Sequence, residues 1–279
     1  MKRANIWRWL VAATAAAGVI AGVTAVTTSA AVANGSTTAK PTIVLVHGAW
    51  ADGSSWSREV SLLQSAGYTV DVAPNPLRGV ASDTAYLKSY LSTVKGPIVL
   101  VGHSYGGFVT TNAATGNPNV KALVYVDAFI PDQGESIAGL AKGSGSVVEP
   151  ALTDPASVFN LVPFPGAAPG VADSYVLPSV FVPGFTGHMS HRQAEALAAS
   201  QMPLATSALG ESSGVPAWKT IPSWAVVGTK DMVIPEQAQM AMAGRAKAHI
   251  TTVDGPHLTL ILHPQQVTRV IVSAANAIS

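Results

Sequence analysis

Cysteine is absent from all 279 residues, which excludes disulfide cross-links, thiolate metal sites and a thiol nucleophile together. Charge is scarce as well. Asp, Glu, Lys and Arg make up 11% of the chain and nearly cancel, leaving a formal net charge of +1. Such a balance provides no basic stripe to hold a nucleic-acid backbone, so small neutral or apolar molecules are the better-matched partners. No internal repeat and no long low-complexity tract follows the N-terminal stretch. Stability must come from an ordinary core, and the remaining length suffices to bury one as a single domain.

The N-terminal stretch has its own logic. Lys2, Arg3 and Arg8 form a positive lead, Leu10 to Val26 is uncharged and rich in Ala, Val and Gly, and Ala31-Val32-Ala33 is an A-x-A site followed by polar Asn34, Gly35 and Ser36. This pattern predicts a secretory signal peptide over residues 1–33 and a mature chain over residues 34–279. The apolar run approaches membrane-spanning length, but its Ala, Thr and Gly content suits cleavage better than retention. The expectation is a secreted, extracellular protein with no stable membrane association after signal cleavage.

In the mature chain, strands and helices alternate. Thr42 to Val46 (TIVLV), Tyr68 to Val72, Ile98 to Val101, Val120 to Val126, Ser223 to Gly228 and His249 to Val253 read as strands, several being continuous apolar runs of the kind buried on both faces. Between and after them, Ser54 to Gly67, Ser82 to Val94, the run from Tyr105 to about Thr115, a stretch opened by Pro235, and Pro264 to Ile278 read as helices. This predicts an α/β fold with a mainly parallel sheet. The rhythm breaks over about residues 130–222, a segment rich in Pro, Gly and Ser in which one helix is readable, opened by a capping box at Ser190 and Gln193. A segment so long, without strands and inserted between two of them, predicts a cap over the site. Phe159, Leu161, Phe164, Tyr175, Phe181 and Phe185 would supply its apolar underside. His188 and His191 flank the cap helix start, but no third ligand lies near them, so no metal site is expected.

The chemistry centres on Val99 to Phe108, VLVGHSYGGF. An apolar strand runs into Gly-x-Ser-x-Gly and then into a helix, which holds Ser104 at the tip of a strained turn where a base can reach its hydroxyl. Side chains at Gly102 or Gly106 would collide with neighbouring backbone, and the Tyr105 NH would face an oxyanion. A serine hydroxyl needs a base, and the base needs an orienting carboxylate. The candidates at strand ends are His257 and Asp231, with Asp127 as the alternative carboxylate. The loop His47-Gly48-Ala49-Trp50, after the first strand, offers a second oxyanion donor. Ala49 NH is the preferred donor and Trp50 NH the alternative. His47 reads as structural, bonded to loop backbone.

The order Ser104, Asp231, His257, with HGAW-x-DGSSW after the first strand and VLVGHSYGG at the elbow, resembles the α/β-hydrolase family over Pro41 to Ser279. Within that family it is similar to secreted bacterial esterases and to plant methylesterases and hydroxynitrile lyases, which share the acid loop seen here as GTKD-x-x-IP at Gly228 to Pro235. The resemblance implies the α/β-hydrolase fold, a cap insertion, Ser104 as nucleophile, His257 as base and Asp231 as acid, with no cofactor and no metal. The lyases carry lysine after the catalytic histidine and threonine after the oxyanion-loop histidine, where this chain has Leu258 and Gly48. The implied activity is therefore a carboxylesterase acting on small to medium apolar esters through an acyl-enzyme. A lyase, a C–C hydrolase or a cofactor-free perhydrolase on the same residues, or a non-catalytic small-molecule binder, are the alternatives.

Overall fold

In the computed structural model, which describes residues 40–279, the apolar run Thr42–Val46 is strand β1, sealed from solvent at four of its five residues. A short 3-10 turn, Gly53–Trp56, leads into α1 (Ser57–Ser65), followed by β2 (Val70–Ala73), α2 (Val80–Thr93), β3 (Ile98–His103), α3 (Tyr105–Ala113) and β4 (Val120–Val126). The next segment contains α4 (Ile137–Ala141), β5 (Phe159–Val162), β6 (Asp173–Val176), α5 (Pro178–Phe185), α6 (His191–Ala199) and β7 (Leu204–Ala205). The alternation then resumes with β8 (Ser223–Gly228), α7 (Glu236–Arg245), β9 (His249–Val253), the single turn α8 (Thr259–Leu262) and α9 (Pro264–Asn276).

Six strands form one parallel sheet in the order β2-β1-β3-β4-β8-β9. Parallel neighbours need a crossover, and the helices provide it while covering both faces. The central strand β3 is buried at every residue, whereas β9 at the edge is buried only at Val253. This is the α/β-hydrolase architecture, and it brings the carboxyl ends of β1, β3, β4, β8 and β9 to one rim of the sheet.

Local differences from the sequence expectation have physical causes. Strand β2 starts at Val70 rather than Tyr68, because the Tyr68 NH donates to Leu63 O and the Gly67 NH to Gln64 O, closing α1 over Gly67 at φ +78°. Helix α2 starts at Val80, two residues before the expected Ser82, since the buried Asp83 carboxylate accepts the Arg78 NH at 3.0 Å ahead of it. The expectation that the segment from about 130 to 222 lacks strands is corrected: β5, β6 and β7 form a small antiparallel sheet of their own. Helix α5 was not foreseen either, with Pro178 at its start and Pro183 inside it. Helix α6 does form where expected, with Ser190 Oγ accepting the Gln193 NH. The predicted signal peptide, residues 1–33, lies outside the described residues. Among the described residues, no helix is long and apolar enough to cross a membrane.

Candidate active site

The elbow between β3 and α3 is built by what cannot fit there. A Cβ on Gly102 would come within 2.7 Å of the backbone of Gly106 and Gly107, and one on Gly106 within 2.7 Å of the carbonyl oxygens of Val46 and His47. With both positions bare, the turn closes and Ser104 adopts φ 51°, ψ −122°, a conformation that side-chain-bearing residues rarely hold. Tyr105 is the first residue of α3. Its hydroxyl donates to buried Asp83 at 2.7 Å, tying the helix start to α2.

Ser104 meets two of the expected partners. Its hydroxyl donates to His257 Nε2 at 2.9 Å, and His257 Nδ1 donates to Asp231 Oδ2 at 2.9 Å. Burial pushes the His257 imidazole down to about 3, favouring the neutral base. Burial pushes the Asp231 carboxyl up, while the Val233 and Ile234 NH groups and Gln239 Nε2 donate to it at 2.8, 2.9 and 2.8 Å and favour the anion. Asp127, the alternative carboxylate, does not reach the imidazole. Its two oxygens accept the Gly228 NH at 2.8 Å and the Thr259 NH at 3.2 Å, joining the end of β8 to the turn just past His257. Burial raises its carboxyl well above the ordinary range, and the charge of Asp231 adds to this.

Two cavities meet at this cluster. The first is lined by Ser104, Tyr105, Ala49 and Trp50 from the sheet rim and by apolar side chains of the segment after β4, including Ile137, Ala141, Val148, Phe159 and Leu204. The second shares Ala49 and Trp50 but has His257 and His103 in its wall and a polar rim of Asp52, Ser54, Ser55 and Ser200. Of the six apolar residues expected beneath the cap, Phe159 lines the first cavity and Phe181 and Phe185 the second. Leu161 is exposed, and Phe164 instead lies under the Arg78 guanidinium at 5.0 Å.

A family model described as "Alpha/beta hydrolase family" matches residues 43–270. The chain belongs to that family. Over 110 residues it is 34% identical to a carbendazim hydrolyzing esterase of Nocardioides sp. (strain SG-4G), the match covering 35% of this chain and 46% of the relative. Over 103 residues it is 34% identical to an alpha-hydroxynitrile lyase of Arabidopsis thaliana, covering 32% of this chain and 40% of the relative. The matched stretch thus spans less than half of either relative. Among solved structures, it is similar to an extracellular alpha/beta-hydrolase from a Paenibacillus species, with a TM-score of 0.69 and 23% identity over 84% of this chain and 98% of that one. At that identity the likeness speaks for the fold.

Several contacts of this α/β-hydrolase site were not read from the sequence. His103, inside the elbow motif itself, lies beside His257 and donates from Nε2 to the His257 carbonyl at 3.0 Å, so its buried Nδ1 is left as a lone pair. Gln239 reaches Asp231 from α7, and no local pattern marks it. The bridging role of Asp127 is tertiary and equally invisible. His47 fits the structural expectation: Nδ1 donates to Gly48 O at 2.9 Å and Nε2 accepts the Asn75 NH at 3.3 Å. Gly48, where the lyases carry threonine, has no room for one, as a Cβ would come within 2.8 Å of Ser104 Cβ and 2.9 Å of His103 Nδ1. His188 and His191 are exposed, and His191 pairs with Glu195 at 3.2 Å.

Proposed function

We propose that the protein is a secreted serine hydrolase, a carboxylesterase for small to medium, largely apolar esters. The observation that carries this reading is the continuous chain of contacts from Ser104 through His257 to Asp231 at the floor of an apolar cavity. Ser104 Oγ attacks the ester carbonyl as His257 Nε2 takes its proton, and Asp231 stabilises the imidazolium so formed. The NH groups of Ala49 and Tyr105 hold the oxyanion, an effect worth about 3 kcal/mol of barrier per donor. The imidazolium then returns its proton to the departing alkoxide, leaving an acyl-Ser104 ester. Water, deprotonated by His257, attacks that ester and releases the acid and free Ser104. Every step is acid–base and nucleophilic chemistry of the chain's own residues, so no cofactor or metal takes part. The name of the Nocardioides relative agrees with ester hydrolysis, and the lack of space at Gly48 and the presence of Leu258 favour it over cyanohydrin cleavage.

A fluorophosphonate probe should label the wild type at Ser104, and a panel of p-nitrophenyl esters should be turned over. Rapid cyanide release from mandelonitrile without turnover of any ester would overturn the hydrolase reading. For secretion, N-terminal sequencing of the exported protein should begin at Asn34. A membrane-retained, full-length product would count against it.

A further inference from the structure

The loop after β1 is held at its start and at its end by different parts of the molecule. The Asn75 side-chain amide donates to His47 O at 2.9 Å, and the His47 ring bonds Gly48 O and the Asn75 NH, so the chain enters Ala49 from a fixed position. On the far side of Ala49 stands Trp50 with φ 54°, a left-handed conformation that a bulky side chain rarely adopts. Such a conformation persists only where the surroundings hold it.

The hold on Trp50 comes from the small antiparallel sheet. Its indole Nε1–H, which can only donate, is shared between Ser174 O at 3.1 Å and Ser174 Oγ at 3.2 Å. Ser174 is fully buried in β6, and its own hydroxyl proton goes to Leu204 O in β7 at 2.7 Å, which leaves the Oγ lone pairs for the indole. Strand β7 is braced in turn by the connection between β2 and α2, through the Ala205 NH to Leu77 O at 2.9 Å and Arg78 Nη2 to Pro203 O at 3.0 Å. The indole ring also packs against Phe159 of β5 and Phe185 of α5, with centroids 5.4 and 5.9 Å away. A chain of bonds therefore runs from the β2–α2 connection through β7 and Ser174 to the residue that follows Ala49. Ser174 itself stands back from the reaction, since the walls of both cavities are made by other residues.

Resting on the hydrolase reading above, in which the Ala49 NH holds the oxyanion, we propose that Trp50 is a positioning residue whose bond to Ser174 aims that NH. The β5-β6-β7 sheet then sets the competence of the oxyanion hole. With the side chain pinned at Nε1, φ 54° fixes the peptide plane between Ala49 and Trp50, while the His47 and Asn75 bonds fix the chain before Ala49. Without the pin, relaxation of Trp50 toward an ordinary φ rotates that peptide and turns the loop away from the oxyanion. A donor misaimed in this way weakens transition-state binding and leaves ground-state binding largely alone.

Steady-state kinetics on phenyl acetate with Trp50→Phe, Ser174→Ala and the double variant test this. Trp50→Phe keeps an aromatic ring and loses the donor, whereas Ser174→Ala loses one of its two acceptors. Removing a whole oxyanion donor lowers kcat about 10²- to 10³-fold, so misaiming one should cost about tenfold in Trp50→Phe and about threefold in Ser174→Ala, with KM within about twofold of wild type. The double variant should match Trp50→Phe, because Ser174 acts through the indole. Binding of 1,1,1-trifluoroheptan-2-one, whose tetrahedral adduct with Ser104 places an oxyanion in the same hole, should weaken by the same factors as kcat/KM. Wild-type kcat in Ser174→Ala, or losses that multiply in the double variant, would overturn the proposal. So would a change carried by KM with ketone affinity unmoved, the result for a ring that only walls the cavities. If Trp50→Phe fails to fold by circular dichroism, Ser174→Ala and the ketone decide. Fluorophosphonate labelling and phenyl acetate turnover in the wild type separate the two levels. If both are absent, the hydrolase reading fails and takes this role with it; if both are present while Ser174→Ala keeps wild-type kcat and ketone affinity, only the role of Trp50 fails.

Discussion

Ser104 and His257 share one proton across 2.9 Å, so removing either side chain should remove the same function. Ser104→Ala and His257→Ala are each expected to lower kcat by several orders of magnitude, with the double variant little worse than either, because the residues act as a unit. Additive losses in the double variant would mean they act separately. Asp231→Asn should cost about 10³ to 10⁴ in kcat, whereas Asp127→Asn should act mainly on stability, since Asp127 bonds backbone NH groups rather than the imidazole. Activity within tenfold of wild type in Asp231→Asn, with none in a folded Asp127→Asn, would reverse that assignment. A pH dependence follows from the burial of His257, which moves its proton affinity downward. The base form then persists below the ordinary histidine value of about 6.5, and the acid limb of kcat/KM for phenyl acetate should fall below about pH 6. Half-maximal activity at or above pH 6.5 would contradict this.

At the scale of elements, what could be read from the chain depended on burial. Strands β1, β3, β4 and β8 are nearly sealed on both faces, so their sequences are continuous apolar runs that identify themselves. The elbow was equally legible, because its glycines answer a steric demand that leaves few other residues possible. In the segment after β4, strands of two to four residues are too short to develop a period, and Pro183 inside α5 disguises a helix. Contacts such as Gln239 to Asp231 or His103 to the His257 carbonyl depend on elements meeting in space, and composition gives no sign of them. The steric argument at the elbow can be tested. Gly106→Ala would force a methyl group against the Val46 and His47 carbonyls, so destabilisation of about 1–3 kcal/mol or more is expected in urea denaturation, with loss of esterase activity. A fully active variant of wild-type stability would show that the elbow has slack there.

For the whole molecule, the sparse charge makes the few buried ionisable groups conspicuous. Glu59, on the face of α1 that the fold seals, is fully buried, and among the described residues no neighbour donates to either of its oxygens. Burial raises its carboxyl to about 8, more strongly than the nearby Arg58 charge lowers it. The folded protein therefore keeps a proton there that the unfolded chain gives up from about pH 4.5 upward. In that window the folded state binds more protons than the unfolded, so this group's stabilising share is complete below pH 4.5, declines as pH rises and is gone above about pH 8. The slope is about 1.4 kcal/mol per pH unit, enough to cost a few kcal/mol between pH 5 and pH 8 in a protein of ordinary marginal stability. Glu59→Gln keeps the shape of the neutral acid and cannot titrate, while every other group titrates alike in both proteins and cancels in the difference. Thermal unfolding of the pair should show similar Tm values near pH 5 and a variant that gains steadily on the wild type up to pH 8. A gap that stays constant across that range, or that narrows as pH rises, would mean that Glu59 is already ionised in the folded protein, with a counter-charge or water supporting it.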